Sequence, residues 1–464
     1  VTRESIIRGV MLKKLALRGV GPAPDLGPLE FAERLNVITG DNGLGKTFLL
    51  DVAWWALTGT WTGRPPWPRE DATREAPPDI HAVVVGKTGS DVVLESRFDF
   101  DTQRWSHPGG RPAMPGLVLY FRVDGRFSLW DPAQHYWKRN AALGVDAPRR
   151  PDALHLDSDD VWNALVVDGN TVCRGLVEDW VTWQQTHSVE FDLLSSVLRQ
   201  LSPSDLEPLV AGEPLAPYAL DLSDRRAHPT LMLPYGRTPV VLASSGIKRV
   251  LAVAYLLVWA WQGHRLAAQA LRQAPERRIV VLFDEPETHL HPQWQRRILP
   301  SLLEALTTFG SGDQHRQDMS VQLFTSTHAP LVLASLETRF DEARDTLFHF
   351  DLSHGPDDAP VGEEPEQVDP VVTIDPVPFA KFGDASGWLS SPIFELRQTG
   401  SVEAEQAIEA AHRWLLGQAE RNPPNLRTRE QIDARLHEVL GGTHPFWPRW
   451  MTAPAPSPSS AGAS

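Results

Sequence analysis

The sequence is short of three things, and each shortage narrows what the chain can be. Cysteine occurs once in 464 residues, at Cys173, so no disulfide can form within the chain. Lysine supplies only seven of the 44 basic residues; with abundant Ala, Pro, Trp and Arg, this reads as the codon bias of a GC-rich bacterium rather than as function. The longest apolar run, Val250 to Trp261, holds twelve residues, whereas a membrane span needs roughly twenty. The N-terminal stretch also lacks the charged region, apolar segment and small-residue cleavage site of a secretory signal. A cytoplasmic protein with no membrane partner is therefore expected. The formal charge, 44 basic against 59 acidic residues or −15, argues against a protein that coats nucleic acid through bulk charge and leaves room only for a local basic groove. Hydrophobic residues at 42% and charged residues at 22% are ordinary for a globular chain. The length is about three times a ~150-residue domain, and one interrupted α/β domain can absorb most of it.

Short apolar runs separated by turn residues, Met11 to Leu17 and Leu35 to Thr39, read as strands feeding a glycine-rich loop, with a helix expected over Phe48 to Leu57. Residues 58 to 80 are crowded with Pro, Gly and Trp and read as a surface excursion. Strands are expected over His81 to Phe98 and Leu117 to Trp130, the second with a turn at Asp124-Gly125. From Asp157 to Leu222 the pattern is more helical, with Leu193, Leu194, Val197 and Leu201 at helical spacing, which suggests an inserted helical lobe. Strand character returns over Leu231 to Leu242, a long helix is expected over Ile247 to Trp261, and Ile279 to Phe283 and Val321 to Ser326 read as buried parallel strands. Between Asp341 and Asp369 lie ten acidic residues and one arginine, the mark of a solvated loop or boundary. The Pro, Ala and Ser tail from Thr452 is expected to be disordered. The organisation read from this is residues 1–140 as a first lobe, 141–235 as the inserted helical lobe, 236–340 as the return to the main domain, 341–450 as an acidic loop with a helical extension, and 451–464 as the tail.

The first chemistry is at Gly40-Asp41-Asn42-Gly43-Leu44-Gly45-Lys46-Thr47, which satisfies G-x-x-x-x-G-K-[ST] between an expected strand and an expected helix. Triphosphate binding needs backbone N–H groups converging on an anion, glycines that let the chain wrap, and a helix N-terminus facing the phosphates. It also needs a lysine for the β and γ oxygens and a hydroxyl for Mg²⁺; Lys46 and Thr47 supply these. ATP and Mg²⁺ are the expected ligands. The second is Ile279-Val280-Val281-Leu282-Phe283-Asp284-Glu285, an apolar strand ending in two adjacent carboxylates. An interior strand rarely ends so without a cation or a reacting group to face. Asp284 suits Mg²⁺, directly or through water, and Glu285 suits the water that attacks the γ-phosphate.

Continuing past that strand, Asp284-Glu285-Pro286-Glu287-Thr288-His289-Leu290-His291-Pro292 resembles the D-E-P-E-x-x-L-H-P run of ABC-type AAA ATPases in the RecF, SMC and overcoming-lysogenisation-defect group. Ala243-Ser244-Ser245-Gly246-Ile247-Lys248-Arg249 resembles that group's S-S-G-x-K-R signature, and Thr325-Ser326-Thr327-His328-Ala329-Pro330 resembles its T-T-H-S-P switch. With Val37 to Thr47, the four motifs stand in the family's order. The resemblance implies an α/β P-loop fold, with a mixed sheet, an inserted helical lobe and a mostly helical C-terminal extension. It also implies that Ser244, Ser245 and Gly246 form a second anion site and that His328 senses or holds the γ-phosphate. In the family two chains pair head to tail, each signature closing on the other's nucleotide. Ala243 and Ser245 replace the Leu and Gly of transporters, which points to the non-transporter branch. The glutamine that reaches Mg²⁺ in the family is not fixed by any motif; Gln184 or Gln185 is the first choice and Gln134 the second. Long coiled-coil arms are not expected, because sustained heptads are missing.

No nuclease signature stands out after His328. The acids of 341–369 sit among Pro and Gly rather than at apolar strand ends, so a metal-binding nuclease domain is not expected there. Farther on, Ala404, Ile408, Ala411 and Leu415 share one face of a helix from about Val402, suited to packing on its own core or to docking a partner. The leading expectation is a homodimeric, Mg²⁺-dependent ATPase that controls a separately encoded effector, a nuclease or other toxin, similar to the ATPase subunits of anti-phage modules such as Septu and PARIS. A RecF-like ATPase that binds DNA is the alternative, followed by a scaffold that binds ATP without hydrolysing it.

Overall fold

The computed structural model describes residues 9–106, 113–136, 139–140, 145–146, 152–309, 319–353, 371–396 and 400–452. Most of the acidic stretch after Ser353 and the Pro/Ala/Ser tail lie outside the described residues. The chain divides into two compact units, Val1–Lys381 and Phe382–Ser464.

The first unit is built on two sheets with a helix between them. The larger has eight strands in the order Leu154–Leu156, Phe127–Trp130, Leu117–Phe121, Arg278–Asp284, Ser320–Ser326, Leu35–Gly40, Asp345–Ser353 and Val371–Val377. Its five middle strands, from Leu117–Phe121 to Asp345–Ser353, are parallel, and antiparallel strands flank them on both sides. This is a mixed sheet with a parallel centre, in line with the α/β fold read from the sequence. The continuous apolar run Ile279 to Phe283 is buried because a strand covered on both faces has no solvent side to make polar; Val321, Leu323 and Phe324 are buried likewise, and the buried Gln322 between them accepts from the N–H groups of Met11 and Leu12 and donates to the carbonyls of Leu12 and Ala32. The second sheet is antiparallel, in the order Asp25–Glu30, Leu12–Arg18, Asp79–Val85, Asp91–Asp99 and Arg104–Trp105. The helix Lys46–Thr58 is buried along most of its length, and Leu50, Trp54 and Leu57 share one core with residues of both sheets. The expected turn at Asp124-Gly125 joins Leu117–Phe121 to Phe127–Trp130, with Gly125 at φ 83°.

The inserted lobe is less helical than the sequence suggests. Helices Ser158–Trp162, Gly175–Gln185 and Val189–Gln200 are followed by an antiparallel three-stranded sheet of Val210–Leu215, His228–Leu233 and Gly236–Pro239. The stretch expected to stay helical up to Leu222 turns to strand at Val210, where the partner across the sheet is distant in sequence and leaves no local period. The expected strand Leu231 to Leu242 is instead a hairpin followed by a 3-10 turn at Val240–Leu242. The long helix runs Ser245–Ala270, nine residues beyond its expected end at Trp261.

The boundary expected near Asp341 is also displaced. Asp345–Ser353 lies in the main sheet beside Leu35–Gly40, with Leu347, Phe348 and Phe350 buried, and the first unit continues to Lys381. Asp345 is a buried anchor rather than a solvated acid: the Arg34 guanidinium donates to its carboxylate, at 2.8 Å from Nε. Acidic composition conceals the strand because its apolar residues alternate with polar ones over only a few positions.

The second unit has its own core. Helices Val402–Leu415, Arg429–Val439 and Trp447–Thr452 bury Ala404, Ile408, Ala411, Ile432, Leu436 and Trp450 together, with Leu415 packed at the margin. Ser401 caps the first helix, and Thr428 with Gln431 forms a capping box at the second. The face expected from the sequence packs on this core. Among the described residues no helix is long and apolar enough to cross a membrane.

Candidate functional site

The parallel strands Leu35–Gly40, Ser320–Ser326 and Arg278–Asp284 are neighbours in the sheet, and their carboxyl ends carry the motifs read from the sequence. Such ends are where open α/β sheets bind ligands. Gly40, Gly43 and Gly45 of the phosphate loop all have positive φ. At Gly40, φ is 136° and a Cβ would collide with the Phe350 carbonyl oxygen. At Gly45, φ is 104° and the residue caps the helix without any side-chain hydrogen bond, so the first N–H groups of Lys46–Thr58 have no side-chain acceptor at the cap. Asp41, Asn42 and Gly43 are exposed at the rim, with Leu44 half-buried behind them. Lys46 is buried; its Nζ donates to the Gly40 carbonyl at 2.7 Å and the Asp41 carbonyl at 2.8 Å. Burial pushes its ammonium below the ordinary lysine range, against the opposing pull of Glu285, Asp41, Asp284 and Glu287. The same list of carboxylates shows that the loop and the acidic strand end share one electrostatic field.

Asp284 is fully buried, and its carboxylate accepts hydrogen bonds from two hydroxyls. Thr47 Oγ1 donates at 2.9 Å to Oδ2, and Ser326 Oγ donates at 2.6 Å to Oδ1. Burial pushes its carboxyl above the usual range, with those hydroxyls and the Arg122 charge opposing. A buried carboxylate that meets hydroxyls rather than a bonded cation fits a bound divalent ion, which would hold its ionised form. Among the described residues no group of three or more His, Cys, Asp and Glu is arranged to hold a metal; Mg²⁺ sites of one or two carboxylates completed by substrate phosphates need no such group.

Glu285 has φ 45°, in the left-handed region that a non-glycine residue enters at a cost of about 1–3 kcal/mol. Its N–H donates to Ser326 Oγ at 2.9 Å, and its Oε2 accepts from Thr288 Oγ1 at 3.2 Å. Its Oε1 is 3.5 Å from His328 Nδ1. His328 is about half exposed and lies just past the end of Ser320–Ser326.

Two residues within the motifs have roles that spacing does not reveal. Glu287, almost fully buried, accepts from Thr327 Oγ1 at 2.7 Å and from the His328 N–H at 3.1 Å, so it holds the switch segment against the acidic turn. Burial pushes its carboxyl up. Arg249, on the signature helix, reaches the carbonyls of Asp284 and Glu285. The signature itself begins a helix, with Ser244 as N-cap accepting from the Ile247 N–H at 3.4 Å. Ser244 and Ser245 are exposed, whereas Gly246 is buried; a Cβ there would lie 2.7 Å from the His289 carbonyl oxygen. Glycine therefore lets the signature helix sit directly on the turn after Glu285.

The glutamines behave differently. Gln184, on the helix Gly175–Gln185, donates to the Gly212 carbonyl of the strand Val210–Leu215 at 3.0 Å, and Gln134 donates to Asp131 at 3.0 Å. The strand next to Asp284 is followed instead by Arg122: Phe121, its last residue, is in register with Phe283, and the Arg122 charge acts on the Asp284 carboxyl. Arg122 is paired with Asp51 and stacked 5.1 Å from the Tyr120 ring centre. A hairpin signal marks this strand in the sequence, but nothing there says which strand it adjoins.

Comparison with known proteins adds a family match and three structural likenesses. Among solved structures, an SMC head domain from Thermotoga maritima is 15% identical with a TM-score of 0.36, covering 80% of this chain and 100% of that one. An SmcHead bound to the C-winged helix domain of ScpA gives 15%, 0.39, 79% and 97% in the same order. An Smc head domain with an extended coiled coil, bound to the C-terminal domain of ScpA derived from Pyrococcus furiosus, gives 12%, 0.37, 79% and 96%. Residues 234–334, which hold the signature, the acidic strand end and the switch histidine, match the family model described as AAA domain, putative AbiEii toxin, Type IV TA system; this segment is similar to the AAA domains of ATPases.

Proposed function

We propose that this chain is a Mg²⁺-dependent ATPase that acts as a nucleotide-switched homodimer. The observation that carries the proposal is the meeting of Lys46, Thr47, Asp284, Glu285 and His328 at the carboxyl ends of adjacent parallel strands. In this reading the residues from Gly40 to Gly45 wrap the phosphates with backbone N–H groups, and Lys46 turns from its two carbonyls to the β and γ oxygens. Thr47 and Asp284 hold Mg²⁺, which when bound neutralises charge on the β and γ oxygens. Glu285 accepts a proton from the water that attacks the γ-phosphorus; the bond from that phosphorus to the β–γ bridging oxygen breaks, and its electron pair leaves with ADP. His328 donates to a γ-phosphate oxygen. Ser244, Ser245 and Gly246 close on the nucleotide of a second chain, consistent with the exposure of both serines.

The biological role proposed is control of a separately encoded effector, a nuclease or other toxin docking on the C-terminal extension, in anti-phage defence. What supports it is the resemblance of the four motifs to ATPase subunits of such modules. The alternative, a RecF-like ATPase that binds DNA, is favoured by one feature: in a chain of net charge −15, Arg199, Arg296, Arg297 and Arg339 line one cleft of about 360 Å³ and outnumber its two carboxylates, Glu304 and the Asp205 paired with Arg297. DNA-stimulated turnover that is lost on replacing these arginines would select this second reading.

The deciding experiment is phosphate release by the purified chain and by Glu285→Gln. Wild type should hydrolyse ATP only with Mg²⁺, and the variant should bind ATP but turn over at least about a hundredfold more slowly. It should also sediment as an ATP-bound dimer. Near-normal turnover by Glu285→Gln would assign the water to another group.

A further inference from the structure

Arg249 is half-buried, and its hydrogen bonds go to main-chain carbonyls. Nη1 donates to the Val123 carbonyl at 2.9 Å; Nη2 donates to those of Asp284 at 3.1 Å and Glu285 at 2.9 Å. The guanidinium lies 5.7 Å from the centre of the Phe283 ring. One side chain thus joins three segments: the signature helix, the turn after Leu117–Phe121, and the end of the acidic strand.

The peptide it grips is the strained one. Glu285 stands in the left-handed region, a conformation that persists only where neighbours over-determine it. Ser326 holds its N–H, and Arg249 holds its carbonyl and the one before it. Rotation of Glu285 out of this conformation would carry its carboxylate away from its position beside His328 and Thr288. The second anchor is steric. Gly246 lets the start of the same helix press on the His289 carbonyl, and His289 also has a positive φ, 66°. The signature helix therefore touches the acidic turn at both of its bends, through Arg249 at Glu285 and through Gly246 at His289.

We propose that Arg249 is a positioning residue for hydrolysis: by fixing the Glu285 peptide to the signature helix, it makes the placement of the Glu285 carboxylate depend on that helix. This rests on Glu285 being the group that activates water. In the proposed dimer the exposed start of the helix meets the partner's nucleotide, so closure over one nucleotide sets the geometry of the glutamate that acts on the other. Lysine cannot replace arginine here, because one ammonium cannot fork to carbonyls on two separate segments with the planar geometry of a guanidinium.

The test is steady-state ATP hydrolysis with ATP binding measured in parallel, for wild type, Arg249→Lys and Arg249→Met. Arg249→Met should lower kcat at least about thirty-fold, the scale of a misplaced reacting group, while ATP affinity and KM stay within about threefold. Arg249→Lys keeps the charge and should lower kcat by about five- to tenfold with affinity unchanged; it carries the test by itself if Arg249→Met does not fold. Normal kcat in Arg249→Lys and Arg249→Met would overturn the proposal. A parallel loss of kcat, ATP affinity and melting temperature would also overturn it, by showing a merely structural role. Failure of the underlying reading looks different: wild type would not hydrolyse ATP, or Glu285→Gln would turn over normally.

Discussion

Replacing Lys46 by alanine probes the phosphate loop where its energy is concentrated. The Lys46 ammonium is already desolvated, so placing it against phosphate costs little further dehydration. Before ligand arrives it spends two hydrogen bonds on the Gly40 and Asp41 carbonyls. Binding exchanges these neutral acceptors for anionic oxygens. At ~3 Å and an effective dielectric of ~20, a pair of unit charges attracts by about 5.5 kcal/mol. Giving up two charged-donor bonds to carbonyls at about 1.5–3 kcal/mol each offsets part of that gain. The exposed Asp41 rim softens the loss, since water can reach it. A net contribution toward the upper end of that difference, about 2 kcal/mol, follows, or a ~30-fold loss of ATP affinity in Lys46→Ala. Isothermal titration with ATP, ADP and AMP in the presence of Mg²⁺ measures it. The loss should be large for ATP, smaller for ADP and near zero for AMP, which has no β or γ oxygens for the lysine to meet. Unchanged ATP affinity, or an equal loss for all three nucleotides, would refute the assignment of this loop.

Three further outcomes are expected. Mixing Glu285→Gln with Ser244→Arg chains should restore some of the hydrolysis that neither has alone, because one composite site in a mixed dimer is then intact; no recovery, together with a monomeric Glu285→Gln in ATP by sedimentation, would exclude head-to-tail pairing. Gly40→Ala must place a Cβ against the Phe350 carbonyl oxygen at a positive φ, so it should cost about 2–3 kcal/mol of stability in urea denaturation; a neutral effect would mean that the strand shifts freely. Asp179 accepts from the Tyr255 hydroxyl at 2.8 Å, and burial holds its carboxyl above the usual range, opposed by that bond. A raised folded-state pKa means that ionisation costs the folded state, so this contribution is intact below the unfolded value of about 4 and is lost as the pH rises through the folded one. Asp179→Asn should therefore gain stability relative to wild type as the pH rises above about 4; a constant gap, or one moving the other way, would contradict the burial argument.

The local features were legible in the sequence because each is set by neighbours along the chain. Gly40, Gly45, Lys46 and Thr47 are a strand end, a cap and the first turn of a helix within eight residues, and the apolar run before Asp284 needs no partner to be recognised as a buried strand. Tertiary structure decided what these features face. Thr47 and Asp284 are 237 positions apart, Glu287 and Thr327 are 40, and no periodicity encodes either hydrogen bond. Sheet order placed Arg122, rather than a glutamine, where its charge acts on Asp284. It also recovered a buried strand at Asp345–Ser353 from what composition presents as a solvated acidic stretch. The left-handed turn at Glu285 belongs to the same class: glutamate has no intrinsic preference for it, and it exists because Ser326 and Arg249, brought in by a strand and a helix from elsewhere in the chain, hold the peptides on both sides of one residue.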